Sequence, residues 1–282
     1  MAEAALAAGL RATRPTRVAL WTGGSLLASY AFVAVVGPAL VPFDANATDL
    51  LNVLAPPSAE HPLGTDQIGR DLLARLAGGA RFTLAAALTA VAAATLIGTT
   101  LGLIAGFRGG RVDHVITGLV DLLLTIPSMV LAIAIASVLG AGFAGLVIAT
   151  TASFVPPLAR LVRGRVLELR ENDYVQAAIA VGTREPMILL RHILPNAAGV
   201  VVVEASLLAG QAVLVGSALG FLGLGVQPPA PEWGTMLGAG REFLEIAPHL
   251  VVAPGLAISG LVLAFNFLGD GLRDLTDPAL RR

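Results

Sequence analysis

The sequence predicts an all-α integral membrane protein with six transmembrane helices. The chain of 282 residues is 56% hydrophobic and has a mean hydropathy of +0.81. Its charged share of 13% is about half of that in a typical soluble domain. The apolar residues fall into six runs, each long enough to cross a bilayer as a helix. The arginines divide unequally between the joining segments, which orients the chain in the membrane.

The six runs divide the chain into spans and loops. The predicted spans lie at about residues 18–41, 83–105, 115–139, 142–162, 197–221 and 248–268. The remaining segments are a basic tail at 1–17, an outer loop at 42–81, a cytoplasmic loop at 163–196, an outer loop at 222–247 and a second tail at 269–282. Residues 82–268 form a five-helix core. A signal peptide is the rival interpretation of the first run, but that run is longer than the apolar region of a signal peptide.

Arginine placement tests this topology. With the N-terminus in the cytoplasm, fourteen arginines lie in cytoplasmic segments and four lie in outer segments. This imbalance follows the positive-inside rule and places both termini and the 163–196 loop in the cytoplasm. The spans are rich in Ala, Gly, Ser and Thr, and such small residues allow helices to approach closely in a membrane. We therefore expect a tight bundle.

The sequence of the first outer loop predicts a short helix near the end of that loop. Thr65 or Asp66 is expected to cap a helix that extends to Leu76. The apolar face of this helix consists of Ile68, Leu72, Leu73 and Leu76. Because the helix is too short and too charged to span, we expect it to lie on the outer surface of the membrane. There it helps close a pore or receives a partner protein, or it simply rests on lipid headgroups.

Two carboxylates and several prolines interrupt the apolar spans. Asp121 lies in the third span and Glu204 in the fifth. Carboxylates are costly inside a membrane, so both are candidates for the lining of a pathway, with helix-to-helix contact as the alternative. Pro127 and the pair Pro156-Pro157 are expected to kink or break their helices.

The longest polar interruption in the C-terminal half runs from Glu171 to Asn196. Its spacing predicts two short amphipathic helices that meet at Gly182, with Thr183 as the cap of the second and Pro186 in its first turn. On the first helix, one face is shared by Tyr174, Ala177, Ala178 and Val181. On the second helix, an apolar stripe of Met187, Leu190 and Leu194 continues until Pro195 ends it.

This segment resembles the cytoplasmic coupling loop of the membrane subunits of ATP-binding-cassette importers. The pattern of that family is Glu-Ala-Ala, three residues, Gly, nine residues and Ile-x-Leu-Pro. The matching positions are Ala177, Ala178, Gly182, Leu194 and Pro195. Gln176 replaces the Glu and His192 replaces the Ile, so a charged contact with the ATPase would become a neutral hydrogen bond.

Two further stretches resemble one subtype of that family, the permeases of dipeptide, oligopeptide and nickel importers. They are the stretch from His61 to Leu76 and the Pro-rich outer loop around Pro231 and Trp233. The resemblance covers nearly the whole chain. It implies a multi-pass subunit of a bacterial plasma or inner membrane that imports di- or oligopeptides. Nickel complexes and glutathione-like solutes are the alternative cargoes.

The resemblance also implies partners and contact residues. The expected partners are the lipid bilayer, a related permease that forms a heterodimer with this chain, two ATPase subunits that hold ATP and Mg, and an extracytoplasmic solute-binding protein. Contact with the ATPase is expected at Tyr174, Gln176, Ala177, Ala178, Gly182, Leu194 and Pro195. Contact with the binding protein is expected at Asp66, Arg70, Pro231 and Trp233.

Composition argues against other classes of function. The chain contains no lysine, so it cannot form a phosphate-binding P-loop, and no cysteine, so it has no thiol chemistry. The spacing of its four histidines predicts no metal site, and a net charge of −1 argues against a nucleic-acid partner. No cluster of catalytic residues is present, and we expect no enzyme activity or bound cofactor in this chain. An ion-driven secondary transporter is the rival class, which Asp121 and the prolines fit only weakly.

Overall fold

The computed structural model describes the backbone of residues 2–276 and the side chains of residues 18–275. This part of the chain is helical and contains no strand. Its α-helices are α1 (Ala2–Leu40), α2 (Leu72–Arg108), α3 (Gly110–Leu124), α4 (Ser128–Leu139), α5 (Phe143–Arg170), α6 (Asp173–Ala180), α7 (Glu185–Ile188), α8 (Leu194–Phe221), α9 (Trp233–Gly240) and α10 (His249–Thr276). A π-helical turn, Leu189–Ile193, joins α7 to α8, and a 3₁₀ turn, Arg241–Phe243, follows α9.

The predicted all-α fold with six spans is confirmed. Five helices are long and apolar enough to cross a membrane, and α3 and α4 pass the same test together as one bent span. Of the predicted tails, the side chains of 1–17 and residues 277–282 lie outside the described part of the chain. Residues 269–276 continue α10.

The third predicted span is broken at the expected residue. Helices α3 and α4 are bent by 91° relative to each other at the short break that contains Pro127. Proline has no backbone N–H to donate, and it turns the preceding residue away from the helical conformation. The prediction for Pro127 is therefore confirmed.

The corresponding break does not occur in α5. This helix runs without interruption through Pro156 and Pro157. Beside it, α2 presents a stripe of glycines at every fourth position, Gly98, Gly102 and Gly106. A Cβ atom on Gly98 or Gly102 would lie 2.7 Å from the Cβ of a residue of α5. The backbone of α2 thus supports the proline-containing turn of α5 at close range, as small-residue stripes do in membranes.

Helix α2 lies at the centre of the bundle. It packs against α1, α5 and α8, and α10 closes the other side by packing against α1 and α8. One buried cluster extends from Leu72 and Trp233 to Phe265. A separate cluster lies beneath the 171–196 segment and includes Leu103, Val166 and Val175. Each end of the molecule therefore has its own apolar core.

The predicted surface helix in the first outer loop is wrong. No helix forms between Leu40 and Leu72, and the N-cap of α2 is Asp71, whose side chain accepts from the backbone N–H of Ala74. The carboxylate of Asp66 instead accepts the backbone N–H groups of Ile68 and Arg70, and Gly69 has a φ of +78°. This local turn competes with a helix start. The expected helical residues from Leu72 onward are the first turns of a spanning helix.

Candidate coupling surface and polar sites

The 171–196 segment forms two short helices that meet at Gly182, as predicted. Gly182 has a φ of +76°, and its N–H donates to the carbonyl of Ile179 at 3.0 Å. The N–H of Thr183 donates to the carbonyl of Ala178 at 3.0 Å, which completes the end of α6. Together these two bonds satisfy carbonyls that the helix leaves free at its C-terminus.

Two details of this prediction are wrong. The N-cap of α7 is Arg184 and not Thr183, and no side chain caps this helix. Pro195 does not end the segment, because it lies in the first turn of α8 and the helical backbone continues through it from the preceding π-helical turn. The stripe from Met187 onward therefore continues through a π-helical turn directly into a spanning helix.

One side of the α6–α7 pair is anchored in the inner apolar core. Val175 is fully buried, and Ala178, Ile188 and Ile193 are buried beside it. These side chains pack in one cluster with residues of α2, α5 and α8 that include Leu103. Because well-packed side chains transmit displacement without compressing, the pair is expected to move with these spanning helices.

Polar side chains also fasten the pair to the bundle. Gln176 donates from Nε2 to the carbonyl of Arg170 at the end of α5, at 2.8 Å. Arg108 at the end of α2 pairs with Glu185 on α7, with 2.6 Å between Nε and Oε1. Arg170 in turn donates to the carbonyl of Phe107 at 3.2 Å. The amide of Gln176 is thus bonded within this chain.

The other side of the pair is apolar and uncovered. Val181 is 80% exposed, and the segment also exposes Tyr174, Ile179, Met187 and Leu190. Of the remaining residues predicted to contact an ATPase, Ala177, Gly182 and Pro195 are exposed, Leu194 is half-buried and Ala178 is buried. Beside them, a groove of about 450 Å³ lies between the ends of α2 and α5 and the α6–α7 pair. Contiguous apolar exposure outside the spans is typical of a surface that binds another protein.

The predicted pathway carboxylates lie on different helices. Asp121 on α3 forms an ion pair with Arg160 on α5, and both side chains are exposed. One turn further along α5, Arg163 makes two hydrogen bonds to Asp113, at 2.5 and 2.6 Å. A cavity of about 160 Å³ between α2, α3 and α5 lies next to these pairs. Glu204 is half-buried on α8.

The four residues expected to touch a binding protein, Asp66, Arg70, Pro231 and Trp233, are buried in this structure. Asp66 and Arg70 pair with each other, with 2.6 Å between Oδ2 and Nε. Trp233 is 1% exposed, and its Nε1 donates to the carbonyl of Leu76 at 2.9 Å. Pro231 is buried against α2. Trp233 and Pro231 thus hold the loop that precedes α9 against α2.

Sequence reasoning missed a buried carboxyl group beside Trp233. Glu232 is the N-cap of α9 and accepts from the N–H groups of Gly234 and Thr235 at 2.8 and 2.9 Å. The hydroxyl of Thr83 on α2 lies 3.5 Å from its Oε1. Burial raises the pKa of Glu232 above its usual range. Its position before a short apolar helix was the only signal in the sequence, and it is a weak one.

Comparison with known proteins identifies similar sequences along most of the chain. The profile of the family described as binding-protein-dependent transport system inner membrane component matches residues 98–282. The dipeptide transport system permease protein DppC of Alkalihalophilus pseudofirmus is 44% identical over 256 residues, which are 91% of this chain and 84% of the relative. The glutathione transport system permease protein GsiD of Pectobacterium atrosepticum is 44% identical over 243 residues, which are 86% of this chain and 81% of the relative.

A solved structure shares the fold. A chain of the MetNI methionine ABC transporter, in an inward-facing conformation, superposes with a TM-score of 0.59. The match covers 72% of this chain and 96% of that chain, with 21% identity. At this level of identity the likeness concerns the fold alone.

Proposed function

This chain belongs to the family of binding-protein-dependent transport system inner membrane components, and we propose that it is a permease subunit of an ATP-driven importer of small peptides. In this role it forms half of the translocation pathway, and a second, related permease forms the other half. Two ATPase subunits bind on the cytoplasmic side and hold ATP and Mg. The absence of lysine supports this division of labour, since the chain lacks the residue that a P-loop needs.

The observation that carries the proposal is the two-sided structure of the α6–α7 pair. Its inner side packs against α2, α5 and α8 and is hydrogen-bonded to α2 and α5, while its outer side exposes apolar side chains that no residue in the described part of the chain covers. A motor protein that binds the exposed side would therefore pull on three spanning helices together. Closure of the ATPase dimer then switches the bundle between inward-open and outward-open states, because the two states bind the closed dimer unequally.

Asp121 and Glu204 remain proposed pathway residues. The ion pair of Asp121 with Arg160 is exposed on helices that cross or enter the membrane. Exposure of such a pair to lipid is costly, so it is expected to face water or another subunit. The half-buried Glu204 on α8 is expected to lie near the same aqueous route.

The relatives support a small peptide as the cargo. One is named for dipeptide transport and the other for glutathione transport. Dipeptides and glutathione share free carboxylates, an ammonium group and amide bonds. Glutathione is the second candidate, and a solute-binding protein outside the membrane selects between them.

Uptake by a reconstituted transporter tests this function. The chain is purified with the subunits that co-purify with it, placed in liposomes that contain ATP, and given its binding protein with labelled dipeptide or glutathione. Uptake is expected to require ATP hydrolysis and to stop with vanadate but not with an uncoupler. Uptake that follows an ion gradient without ATP would overturn the proposal.

Gly182 provides the matched variants for the coupling step. Gly182→Pro is expected to abolish uptake, because proline cannot adopt a φ of +76° and cannot donate the N–H to Ile179. Gly182→Asn is the control, since Asn tolerates this conformation and no atom lies within 4 Å of a Cβ there. Both proteins should insert into the membrane in equal amounts. Normal uptake by Gly182→Pro would contradict the coupling role.

A further inference from the structure

Two arginines are buried at the outer end of the bundle with little negative charge around them. Arg70 is 7% exposed and Arg75 is 4% exposed. Both approach the same oxygen, Oδ2 of Asp66, with Nε distances of 2.6 and 3.5 Å. Arg75 also donates from Nη1 to the carbonyl of Ala45 at 3.0 Å. One carboxylate therefore serves two guanidinium groups.

The neighbouring carboxylate of Asp71 already has two hydrogen-bond partners of its own. Asp71 accepts from the N–H of Ala74 at 2.7 Å, and its second oxygen lies 2.8 Å from Nδ1 of His61. The charges that act most on Arg75 are the repulsion of Arg70 and the attraction of Asp66. An incompletely balanced positive charge that is shielded from water is strongly unfavourable. A counter-ion would remove this imbalance.

A cavity of suitable size lies next to both guanidinium groups. It has a volume of about 50 Å³ and is bounded by the 66–75 stretch on one side and by α9 and its preceding loop on the other. Its polar lining consists of Asp66, Gln67, Arg70, Arg75 and Thr235, so two guanidinium groups and one carboxylate border the cavity. A buried water needs roughly 10–15 Å³ of such volume. A cavity of about 50 Å³ therefore has room for one small ion but not for a peptide.

We propose that this cavity binds one small monovalent anion, a chloride ion or the carboxylate group of a small acid, between Arg70 and Arg75. Guanidinium groups present several N–H donors in a fixed fork and suit such ligands. The anion offsets the repulsion between the two arginines of the 66–75 stretch and fastens that stretch to α9 on the other side of the cavity. This site is independent of the proposed transport function, and its occupancy stabilises the outer end of the subunit.

Thermal unfolding of the full-length protein in detergent tests the site. Chloride or acetate is titrated into a gluconate buffer at constant ionic strength, because gluconate is too large for the cavity. Saturation is expected to raise Tm by on the order of 5 °C. A response to chloride alone identifies a halide site, and a response to acetate identifies a carboxylate site; either one supports the proposal. Equal Tm values in gluconate, chloride and acetate would overturn it.

Variants of two arginines on α2 locate the effect. Arg75→Met is expected to abolish the anion-dependent rise in Tm, whereas Arg81→Met, at an exposed position two turns along the helix, should keep it. An unchanged response in Arg75→Met would contradict the proposed site. If that variant does not fold, anomalous diffraction from wild-type crystals soaked in bromide decides. A peak between Arg70 and Arg75 supports the site, and peaks only elsewhere overturn it.

Discussion

The inner and outer ends of the molecule differ in which of their motif residues are exposed and which are buried. At the inner end, α6 and α7 bury some apolar side chains and expose others, with Val175 on α6 fully buried and Val181, directly after α6, mostly exposed. At the outer end, motif-like residues such as Asp66 and Trp233 are enclosed by the protein itself. Residues that look equally conspicuous in the sequence are thus exposed at one end and buried at the other.

Backbone hydrogen bonding explains the difference. The inner segment is mostly helical, so its backbone groups bond to each other and its side chains are available for other contacts. The outer segment between α1 and α2 has no helix, and its backbone polar groups need side-chain partners. Thr65 and Asp66 supply them by bonding to Ala55, Ile68 and Arg70. In such a loop, polar side chains bond to the backbone of the loop itself and are not free to contact another protein.

The largest expected effect is at Trp233. Trp233→Ala should destabilise the protein by about 3–5 kcal/mol, because it removes a buried ring and leaves the carbonyl of Leu76 without its donor. Trp21→Ala is the control, since Trp21 is exposed on α1. Thermal unfolding in detergent measures both. Similar Tm values for the two variants would mean that the outer end is not held together from within.

A matched pair on the inner helix separates packing from partner binding. Val175→Ala should cost about 2 kcal/mol of stability, since it removes two buried methyl groups and leaves a cavity. Val181→Ala should leave Tm unchanged but weaken binding of the ATPase subunits by roughly tenfold, or about 1.4 kcal/mol. Tm and the retention of ATPase on immobilised transporter are the measurements. Equal loss of stability in both variants would show that the outer side of α6 is not a free surface.

Sequence reasoning succeeded where the signal is local. Span length and the spacing around Gly182 each depend on residues within one segment, and the structure confirms the spans and the turn at Gly182. Pro127 and Pro156 show where such reasoning ends. Both are prolines within apolar runs, yet only Pro127 breaks its helix. At Pro156 the outcome is decided by α2 packing alongside, which no pattern within α5 reveals.

Burial at the outer end was unpredictable for the same reason. Thr83 and Glu232 lie 149 positions apart in the chain, yet their side chains approach each other beneath α9. The same holds away from the outer end, where Arg163 and Asp113 are separated by 50 positions and form a bidentate pair. Such contacts depend on the tertiary fold, so a single sequence gives no spacing rule that would identify them. The sequence motifs single out Asp66 and Trp233 at the outer end, but they do not reveal that these side chains are buried.

Glu232 makes the stability of the outer end depend on pH. Because burial raises its pKa in the folded protein, the native state keeps a proton that the unfolded chain has already lost. This contribution to stability is complete below the ordinary pKa of glutamate and declines as the pH rises towards the raised value. Glu232→Gln should remove this decline. The stability of the variant relative to that of the wild type should therefore increase as the pH rises.

Thermal unfolding between pH 4 and pH 9, a range that begins near the ordinary glutamate pKa of about 4.3, measures the effect. Glu245→Gln is the control, because Glu245 is exposed in the same outer loop. It should follow the wild-type curve. Identical curves for Glu232→Gln and wild type would indicate that Glu232 is not a buried acid in solution.

The smallest effect on stability is expected from the ion pair between Arg108 and Glu185. Both side chains are partly exposed, so Arg108→Ala should cost less than about 1 kcal/mol. The pair nevertheless links the end of α2 directly to α7, and its loss should reduce ATP-driven uptake more than it reduces Tm. The charge-reversed variant Arg108→Glu combined with Glu185→Arg should restore uptake, and Arg111→Ala, at an exposed position just beyond α2, should leave it unchanged. If uptake falls only in proportion to stability, the ion pair stabilises the fold but does not couple α7 to α2. The coupling would then depend on the apolar contacts alone.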